Sequence, residues 1–144
     1  MIALDTNVLV YAHRADSPFH DAAASAVRGL AEGSAPWALP WPCLHEFFSV
    51  ATHPRVYQPP STTEQALTQI DAWLQSPTAV LLAEGSGYWP VLREALEQGK
   101  VAGPMVHDGR VAALCRMHGV RELWSADRDF SRFPGVRVRN PLQG

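Results

Sequence analysis

The sequence has few of the residues that hold disulfide-rich or zinc-binding proteins together. Its 144 residues include two cysteines, Cys43 and Cys115, which form no CxxC pair. Two isolated cysteines among apolar residues exclude a disulfide framework, and we expect both to be buried, reduced thiols. The histidines His13, His45 and His107 likewise match no zinc-binding spacing.

Long apolar runs are also absent. No stretch approaches the ~20 consecutive apolar residues that a membrane-spanning helix needs. The first residues carry Asp5 and no basic segment, so we do not expect a signal peptide. We therefore expect a cytoplasmic protein with no membrane partner, and 144 residues are enough for one domain with its own core.

Lysine is almost missing. Lys100 is the one lysine among 12 basic residues, and the rest are arginines. The formal net charge of -2 gives no overall nucleic-acid signature, so any nucleic-acid contact must come from a local patch. Arginine suits phosphate binding, but a gene rich in G and C would produce the same bias.

Short apolar segments alternate with helical patterns along the chain. The segments that read as strands are residues 1–4, 37–39, 79–82, 123–125 and 136–138, the last of them at an edge. Residues 8–12 are apolar throughout, and periodicity does not separate strand from helix there. The alternation predicts a parallel sheet of about five strands covered on both faces, a three-layer α/β/α fold in a single domain over residues 1–144.

Capping residues predict two of the helix starts. Ser17 followed by Pro18 is typical of an N-cap with proline at the first helical position. The segment Ser61-Thr62-Thr63-Glu64 has the pattern of a capping box.

Four acidic residues carry the functional signal. Asp5 and Asp127 each follow a predicted strand, so both lie at the edge of the sheet where ligands bind in such folds. Helical spacing places Asp108 on the core-facing stripe, and Glu46 shares a helix face with apolar residues. Lone carboxylates are costly to desolvate unless a cation compensates them. Four that converge would form a site for a hard divalent metal, and hence for phosphate chemistry.

Each acidic residue also has an ordinary explanation. Asp5 could be the N-cap of the next helix, and Glu46 an exposed helix residue. Asp108 could complement the helix dipole in a first turn, and Asp127 and Asp129 could be turn residues. Taken singly, no residue is decisive.

Together the segments resemble a known family. The matching features are Asp5-Thr6-Asn7 after the first strand, Glu46 on a helix, His107-Asp108-Gly109-Arg110, and Ser125-Ala126-Asp127-Arg128-Asp129-Phe130. This set resembles the PIN domain, and more narrowly the VapC toxins of bacterial toxin–antitoxin pairs. The resemblance extends from residue 1 to about residue 142.

The resemblance implies a Mg²⁺- or Mn²⁺-dependent endoribonuclease with catalytic, metal-binding carboxylates at Asp5, Glu46, Asp108 and Asp127. Asp5 and Asp108 match the positions usually assigned to direct metal binding, and Asp129 is close enough to share or replace the role of Asp127. Thr6, Asn7 and Ser125 match polar residues that line the same cleft. Gly109 departs from the usual alanine, and Pro40-Trp41-Pro42 is an unusual approach to Glu46. One metal ion or two would be compatible with the sequence.

The resemblance also implies partners, namely a VapB-type antitoxin, an RNA substrate and a second copy of the chain in a homodimer. Antitoxin and dimer surfaces could come from the Phe47–Phe48 helix or from Tyr57 and the helix after it. We expect tRNA or rRNA as the substrate, although messenger RNA is equally compatible with the sequence. Candidate RNA contacts, each of which could instead be a solvated arginine, are Arg14, Arg110, Arg128 and Arg55, the last beside Tyr57 in a loop.

Rival functions share parts of this pattern. A PIN-like DNA nuclease would use the same carboxylates, but the chain has no extra segment to clamp a DNA flap. A catalytically inactive PIN scaffold that only binds partners would not need all four acids. A dehalogenase-like phosphatase needs an Asp-x-Asp pair, whereas Thr6 and Asn7 follow Asp5. A receiver domain needs an aspartate after its third strand, where this chain has Glu84.

Overall fold

One parallel sheet of five strands runs through residues 1–143, the part of the chain that the computed structural model describes. The strands are β1 (Ile2–Leu4), β2 (Trp37–Pro40), β3 (Ala79–Leu82), β4 (Glu122–Trp124) and β5 (Arg137–Arg139). Their order is β3-β2-β1-β4-β5, and every neighbouring pair is parallel. The chain therefore adds strands to one side of β1 and then to the other, which makes the β1–β4 boundary a topological switch point.

Helices cover this sheet on both faces, which confirms the three-layer α/β/α prediction. The α-helices are α1 (Thr6–His13), α2 (His20–Ala31), α3 (Trp41–Ala51), α4 (Thr63–Leu74), α5 (Tyr88–Gln98) and α6 (Val106–Met117). The central strands are the most buried, and Ala3, Leu39 and Leu123 are fully inaccessible to solvent. Such burial on both faces is characteristic of a parallel sheet.

The apolar run that the sequence left undecided is helix α1. β1 ends at Leu4, and the Asp5 side chain accepts a hydrogen bond from the Thr6 N–H at 2.8 Å. Asp5 therefore does cap the helix, as one reading of the sequence proposed. Val8 and Leu9 are fully buried because α1 packs against both α2 and α3.

Both helix starts lie later in the chain than the capping patterns predicted. Helix α2 begins at His20, because Ser17 instead forms a turn in which its hydroxyl accepts a hydrogen bond from the Phe19 N–H. The capping box is real but lies one residue later, between Thr62 and Gln65. Tertiary contacts explain the second shift, since Ser61 is buried and hydrogen-bonded to other parts of the chain.

The proline-rich approach to Glu46 is compatible with a regular helix. Pro40 ends β2, and Pro42 lies in the first turn of α3, where its missing N–H has no intrahelical partner to lose. Cys43 and Cys115 are both buried and form no disulfide, as expected. Among residues 1–143, no helix combines the length and the apolar character that crossing a membrane requires.

Gly109 has a packing role that the sequence did not indicate. A Cβ atom at this position would lie 2.6 Å from Cδ2 of Leu96 on α5. The absence of a side chain therefore allows α5 and α6 to approach closely at the start of α6, next to Asp108.

Candidate active site

An acidic cleft of about 260 Å³ opens at the carboxyl end of β1. Asp5, Glu46, Asp108 and Asp127 all line it, together with Thr6 and Asn7. The fold thus brings together four carboxylates that are separated by up to 122 residues, as expected from the sequence. A larger cavity of about 700 Å³ lies between the end of α1 and α4, but it contains none of these four acids. The smaller cleft is therefore the candidate site because of its chemistry rather than its size.

Asp5 is the most enclosed of the acidic residues, with 8% of its surface exposed. Its Oδ1 accepts the Thr6 N–H at 2.8 Å, and its Oδ2 accepts the Ser125 hydroxyl at 2.7 Å. Burial raises the pKa of Asp5, and the charges of Glu46 and Asp127 raise it further, against the effect of these hydrogen bonds. The carboxylate is held rigidly in a position where its charge is costly.

Ser125 and Asn7 join the first turn of α1 to the loop after β4. The Asn7 side chain donates to the Ser125 hydroxyl at 3.2 Å and accepts the Ala126 N–H at 3.1 Å. The Ser125 hydroxyl also accepts the Asp127 N–H at 2.9 Å. These two predicted accessory residues therefore set the position of Asp127 relative to Asp5.

Thr6 contributes a buried polar atom to the surroundings of the cleft. Its hydroxyl oxygen is buried and, within residues 1–143, has no hydrogen-bond partner. A buried hydroxyl without a partner costs about 1–3 kcal/mol. Because Thr6 lines the acidic cleft, a ligand or water bound there is the natural partner of this atom.

Asp108, Asp127 and Asp129 form a tight carboxylate cluster. One oxygen from each lies within 4.8 Å of the others. The Asp129 N–H also donates to Asp127 Oδ1 at 2.8 Å, at the start of a short 3-10 helix (Arg128–Arg132). The role of Asp129 was left open by the sequence. Asp129 is one of the three members of this cluster, whereas Asp5 and Glu46 are not.

The electrostatic cost of the cluster appears at Asp108. Partial burial raises the pKa of this carboxyl to about 6, and the charge of Asp127 is the next largest cause. Asp5 and Asp129 add to the rise, and Arg132 opposes it. A cation in the cleft would relieve this repulsion.

Glu46 lines the cleft but is not a member of the three-carboxylate cluster. It lies on α3 and is exposed, as the ordinary reading of a helix glutamate proposed. It nevertheless lines the cleft, and its charge contributes to the raised pKa of Asp5. Its exposure gives Glu46 more access to solvent than Asp5, Asp108 or Asp127 has.

The four arginines proposed as RNA contacts do not gather at one place. Arg14 lies outside the cleft and is paired with Asp16 at 2.7 Å. Arg110 is paired with Glu84 at 2.7 Å in a side cavity that shares Glu46 and His107 with the cleft. Arg128 lines another small cavity, which shares Asp127 with the cleft, and it forms no ion pair within residues 1–143. Arg55 is exposed in the loop after α3.

Several residues of the site were not found from the sequence. The positive charge of Arg132 acts to lower the pKa of Asp108, and Arg132 Nη1 donates a hydrogen bond to the Gly99 carbonyl at 3.1 Å. Its position three residues after Asp129 was a signal that could have found it. Tyr11 and Val56 also line the cleft, next to Tyr57. No local pattern marks them, because an apolar wall is defined only by what it faces.

Known proteins share the sequence pattern of this chain. The family model described as "PIN domain" matches residues 2–136. Ribonuclease VapC48 of Mycobacterium tuberculosis is 37% identical over 140 residues, covering 97% of each chain. Ribonuclease VapC43 of the same organism is 36% identical over 144 residues, covering all of this chain and 97% of its own.

Solved structures show the same architecture. Mycobacterium tuberculosis VapC20, described as a sarcin–ricin loop cleaving toxin, superposes with a TM-score of 0.70 at 18% identity, covering 97% of this chain and 100% of that one. VapBC2 from Rickettsia felis, solved with a promoter DNA fragment, gives a TM-score of 0.66 at 22% identity, covering 97% and 98%. The matched PIN-domain model and the full-length relatives together place this chain in the PIN-domain family, within its VapC group.

Proposed function

We propose that this chain is a metal-dependent endoribonuclease that acts as the toxin of a toxin–antitoxin pair. The observation that carries the proposal is the convergence of Asp5, Glu46, Asp108 and Asp127 on one cleft, in a chain whose relatives are named ribonucleases. A single PIN domain over residues 1–144 accounts for the activity, and the family match over residues 2–136 supports this extent.

The donor set of the cleft fits Mg²⁺ or Mn²⁺. Only oxygen donors are present in the Asp108, Asp127 and Asp129 cluster, and hard divalent cations prefer oxygen. The raised pKa of Asp108 and the unpartnered Thr6 hydroxyl both mark a place where a cation or its water shell would be stabilising. We propose Asp108, Asp127 and Asp129 as the central ligands, with Asp5 and Glu46 completing the site.

The cleft is anionic and, within residues 1–143, has no positive charge of its own to place beside a phosphate group. A bound cation would supply that charge and would lower the pKa of the attacking water. The protein supplies the rest. Asp5, Ser125 and Asn7 hold the start of α1 against the loop after β4, so that Asp127 keeps its position beside Asp108. Glu46, or Asp127, would orient the water and accept its proton. Arg128 and Arg132 would contact phosphates beside the cluster, with Arg110 and Arg55 further out.

The partners follow from the family. Structural neighbours include DNA-bound VapBC from Salmonella typhimurium and FitAcB from Neisseria gonorrhoeae. We propose that a VapB-type antitoxin covers the cleft of this chain, that the chain forms a homodimer, and that it acts in the cytoplasm. Structured RNA such as tRNA or rRNA is the proposed substrate class, in keeping with the sarcin–ricin loop that VapC20 is described as cleaving.

Cleavage of matched nucleic acids tests the activity. We expect the purified protein to cut a labelled tRNA or rRNA fragment with Mg²⁺ or Mn²⁺ and not with EDTA. DNA of the same sequence should stay intact. Asp108→Asn should lower cleavage by at least about 100-fold, because it removes a carboxylate of the central cluster. Asp71→Asn, an exposed change on α4, is the matched control.

Two outcomes would redirect the proposal. Preferential cutting of the DNA would favour the DNA nuclease, and equal cutting by both protein variants would point to a contaminating nuclease. Expression without an antitoxin should arrest growth, and Asp5→Ala should relieve the arrest. Harmless accumulation of folded wild-type protein would contradict the toxin assignment and leave a binding scaffold as the remaining reading.

A further inference from the structure

Arg14 is fully engaged by the protein itself. Its Nε and Nη2 donate to the two carboxylate oxygens of Asp16 at 2.9 and 2.7 Å. Its Nη2 also donates to the Pro59 carbonyl at 2.9 Å, and its Nη1 to the Ser61 hydroxyl at 3.2 Å. Only 12% of the side chain is exposed. An arginine used in this way has little capacity left for a phosphate.

The same guanidinium lies over a residue of the cleft wall. Its central carbon is 4.3 Å from the centre of the Tyr57 ring, which is the geometry of a cation–π contact. Tyr57 and its neighbour Val56 both line the acidic cleft. The Arg14 side chain therefore contacts the 55–60 segment at two places, the Tyr57 ring and the Pro59 carbonyl.

The segment has few other ties. The N–H groups of Val56 and Tyr57 donate to the His53 carbonyl, which is a local turn. The Ser61 N–H donates to the Ala51 carbonyl at 2.8 Å, which holds the far end to α3. Between these two points, the Pro59 carbonyl accepts a hydrogen bond from Arg14.

Arg14 also ends the helix that carries other residues of the cleft lining. It is the C-cap of α1, and its own N–H donates to the Val10 carbonyl at 2.9 Å. Helix α1 presents Thr6, Asn7 and Tyr11 to the cleft. Arg14 thus links the helix that carries one part of the cleft lining to the loop that carries another.

We propose that Arg14 is a positioning residue that braces the 55–60 segment against α1 as a wall of the acidic cleft, and that it does not bind RNA. This replaces the sequence-based expectation that Arg14 is a phosphate contact. The brace itself is a property of the fold, whereas its effect on RNA binding rests on the proposed function.

The brace needs the planar fork of arginine and its acidic partner. Lysine keeps the charge but provides neither two parallel N–H groups nor a flat face for Tyr57. Asp16→Asn weakens the fork while it removes a negative charge. Simple attraction of RNA by charge therefore predicts tighter binding for Asp16→Asn, whereas loss of the brace predicts weaker binding.

Limited trypsin digestion tests the brace without any nuclease assay. The loop contains a trypsin site after Arg55, and local opening sets the rate of cutting there. We expect Arg14→Lys and Arg14→Gln each to raise the rate of cleavage after Arg55 by about tenfold, since a set of charged hydrogen bonds that holds the segment is lost. Asp16→Asn should raise it less. Arg93→Gln, on the exposed face of α5, should leave it unchanged. Each variant is digested well below its own melting temperature.

RNA binding and turnover test the functional half. Arg14→Lys and Arg14→Gln should raise KM about equally, by roughly tenfold, with kcat within about twofold of wild type, because a binding wall is lost rather than a reacting group. The salt dependence of RNA binding should not change. A phosphate contact would instead lower the slope by ~0.7 in the glutamine variant and spare the lysine variant.

The outcomes separate cleanly. Unchanged trypsin cleavage in every variant would overturn the brace. Rescue of KM by lysine, or tighter RNA binding by Asp16→Asn, would overturn the claim that Arg14 does not bind RNA. If wild-type protein cuts no RNA, the proposed function fails while the digestion result still decides the brace.

Discussion

Asp108 shows the conflict between stability and function at the scale of single residues. Its pKa is raised from 3.8 to about 6, so the folded protein holds this proton more tightly than the unfolded chain does. The folded state is therefore favoured most below pH ~4, and it loses this contribution as the pH rises from about 4 to about 6. The residue is partly exposed, and solvent screening reduces the effect.

Asp108→Asn should consequently stabilise the metal-free protein while it abolishes cleavage. We expect a gain of about 1 kcal/mol in the free energy of unfolding at pH 7, and almost none at pH 4, where wild-type Asp108 is already protonated. Urea denaturation in EDTA at pH 4, 5, 6 and 7 measures it. Asp71→Asn, an exposed change on α4, is the control variant for the same measurement. A loss of stability at pH 7 would show that this carboxylate is held by attraction rather than strained by repulsion.

At the scale of secondary-structure elements, two glycines show that the effect of adding a side chain depends on what surrounds the position. Gly99 ends α5, and a Cβ atom there would lie 2.7 Å from the ring of Phe133. Phe133 is 1% exposed and has little room to move. Gly29 lies within α2 and would meet nothing within 4 Å. The two glycines look alike in sequence but differ in what surrounds them.

Opposite effects on stability should follow when each glycine becomes alanine. We expect Gly99→Ala to cost about 1–3 kcal/mol, because the new methyl group overpacks the Phe133 site. Gly29→Ala should gain up to about 1 kcal/mol, since alanine favours an exposed helix interior over glycine. Urea denaturation of both variants under one condition compares them. Equal effects of the same sign would mean that helix propensity, and not packing, governs both positions.

At the scale of the whole molecule, the acidic residues of the cleft lie where the order of strand addition reverses. Asp5 and the Ser125–Asp127 loop follow the neighbouring strands β1 and β4, on which the chain reverses the order of strand addition. A parallel sheet leaves a crevice there, and α3 and α6 bring Glu46 and Asp108 to it from other parts of the chain. The fold therefore concentrates anions at one edge of the sheet, where the proposed cation would offset their repulsion.

Metal binding should accordingly stabilise the entire domain. We expect saturating Mg²⁺ or Mn²⁺ to raise Tm, with a stabilisation of about 2.7 kcal/mol at a concentration 100 times Kd. The combined Asp5→Asn and Asp108→Asn variant should lose this shift, while a monovalent salt of equal ionic strength should not reproduce it. Differential scanning fluorimetry with and without EDTA gives the comparison. A wild-type Tm indifferent to metal would remove the basis for the proposed cation site.

The sequence by itself was enough for the features that depend on local pattern. Alternating strands and helices determined the α/β class, and the position of Asp5 and Asp127 after strands determined that they share an edge. The opening Asp5-Thr6-Asn7 and the closing Ser125-to-Phe130 segment, taken with Glu46 and Asp108, indicated the family. These features were accessible because hydrophobic period and strand ends are properties of neighbouring residues.

Tertiary structure decided everything that depends on which distant atoms meet. It made residues 8–12 a helix, displaced the capping box from Ser61 to Thr62, and placed Asp129 in the carboxylate cluster. It also turned Arg14 from the cleft to Asp16 and Tyr57. The physical reason is the same in each case: burial, hydrogen-bond partners and charge repulsion act between residues far apart in the chain, and only the packed fold brings them together.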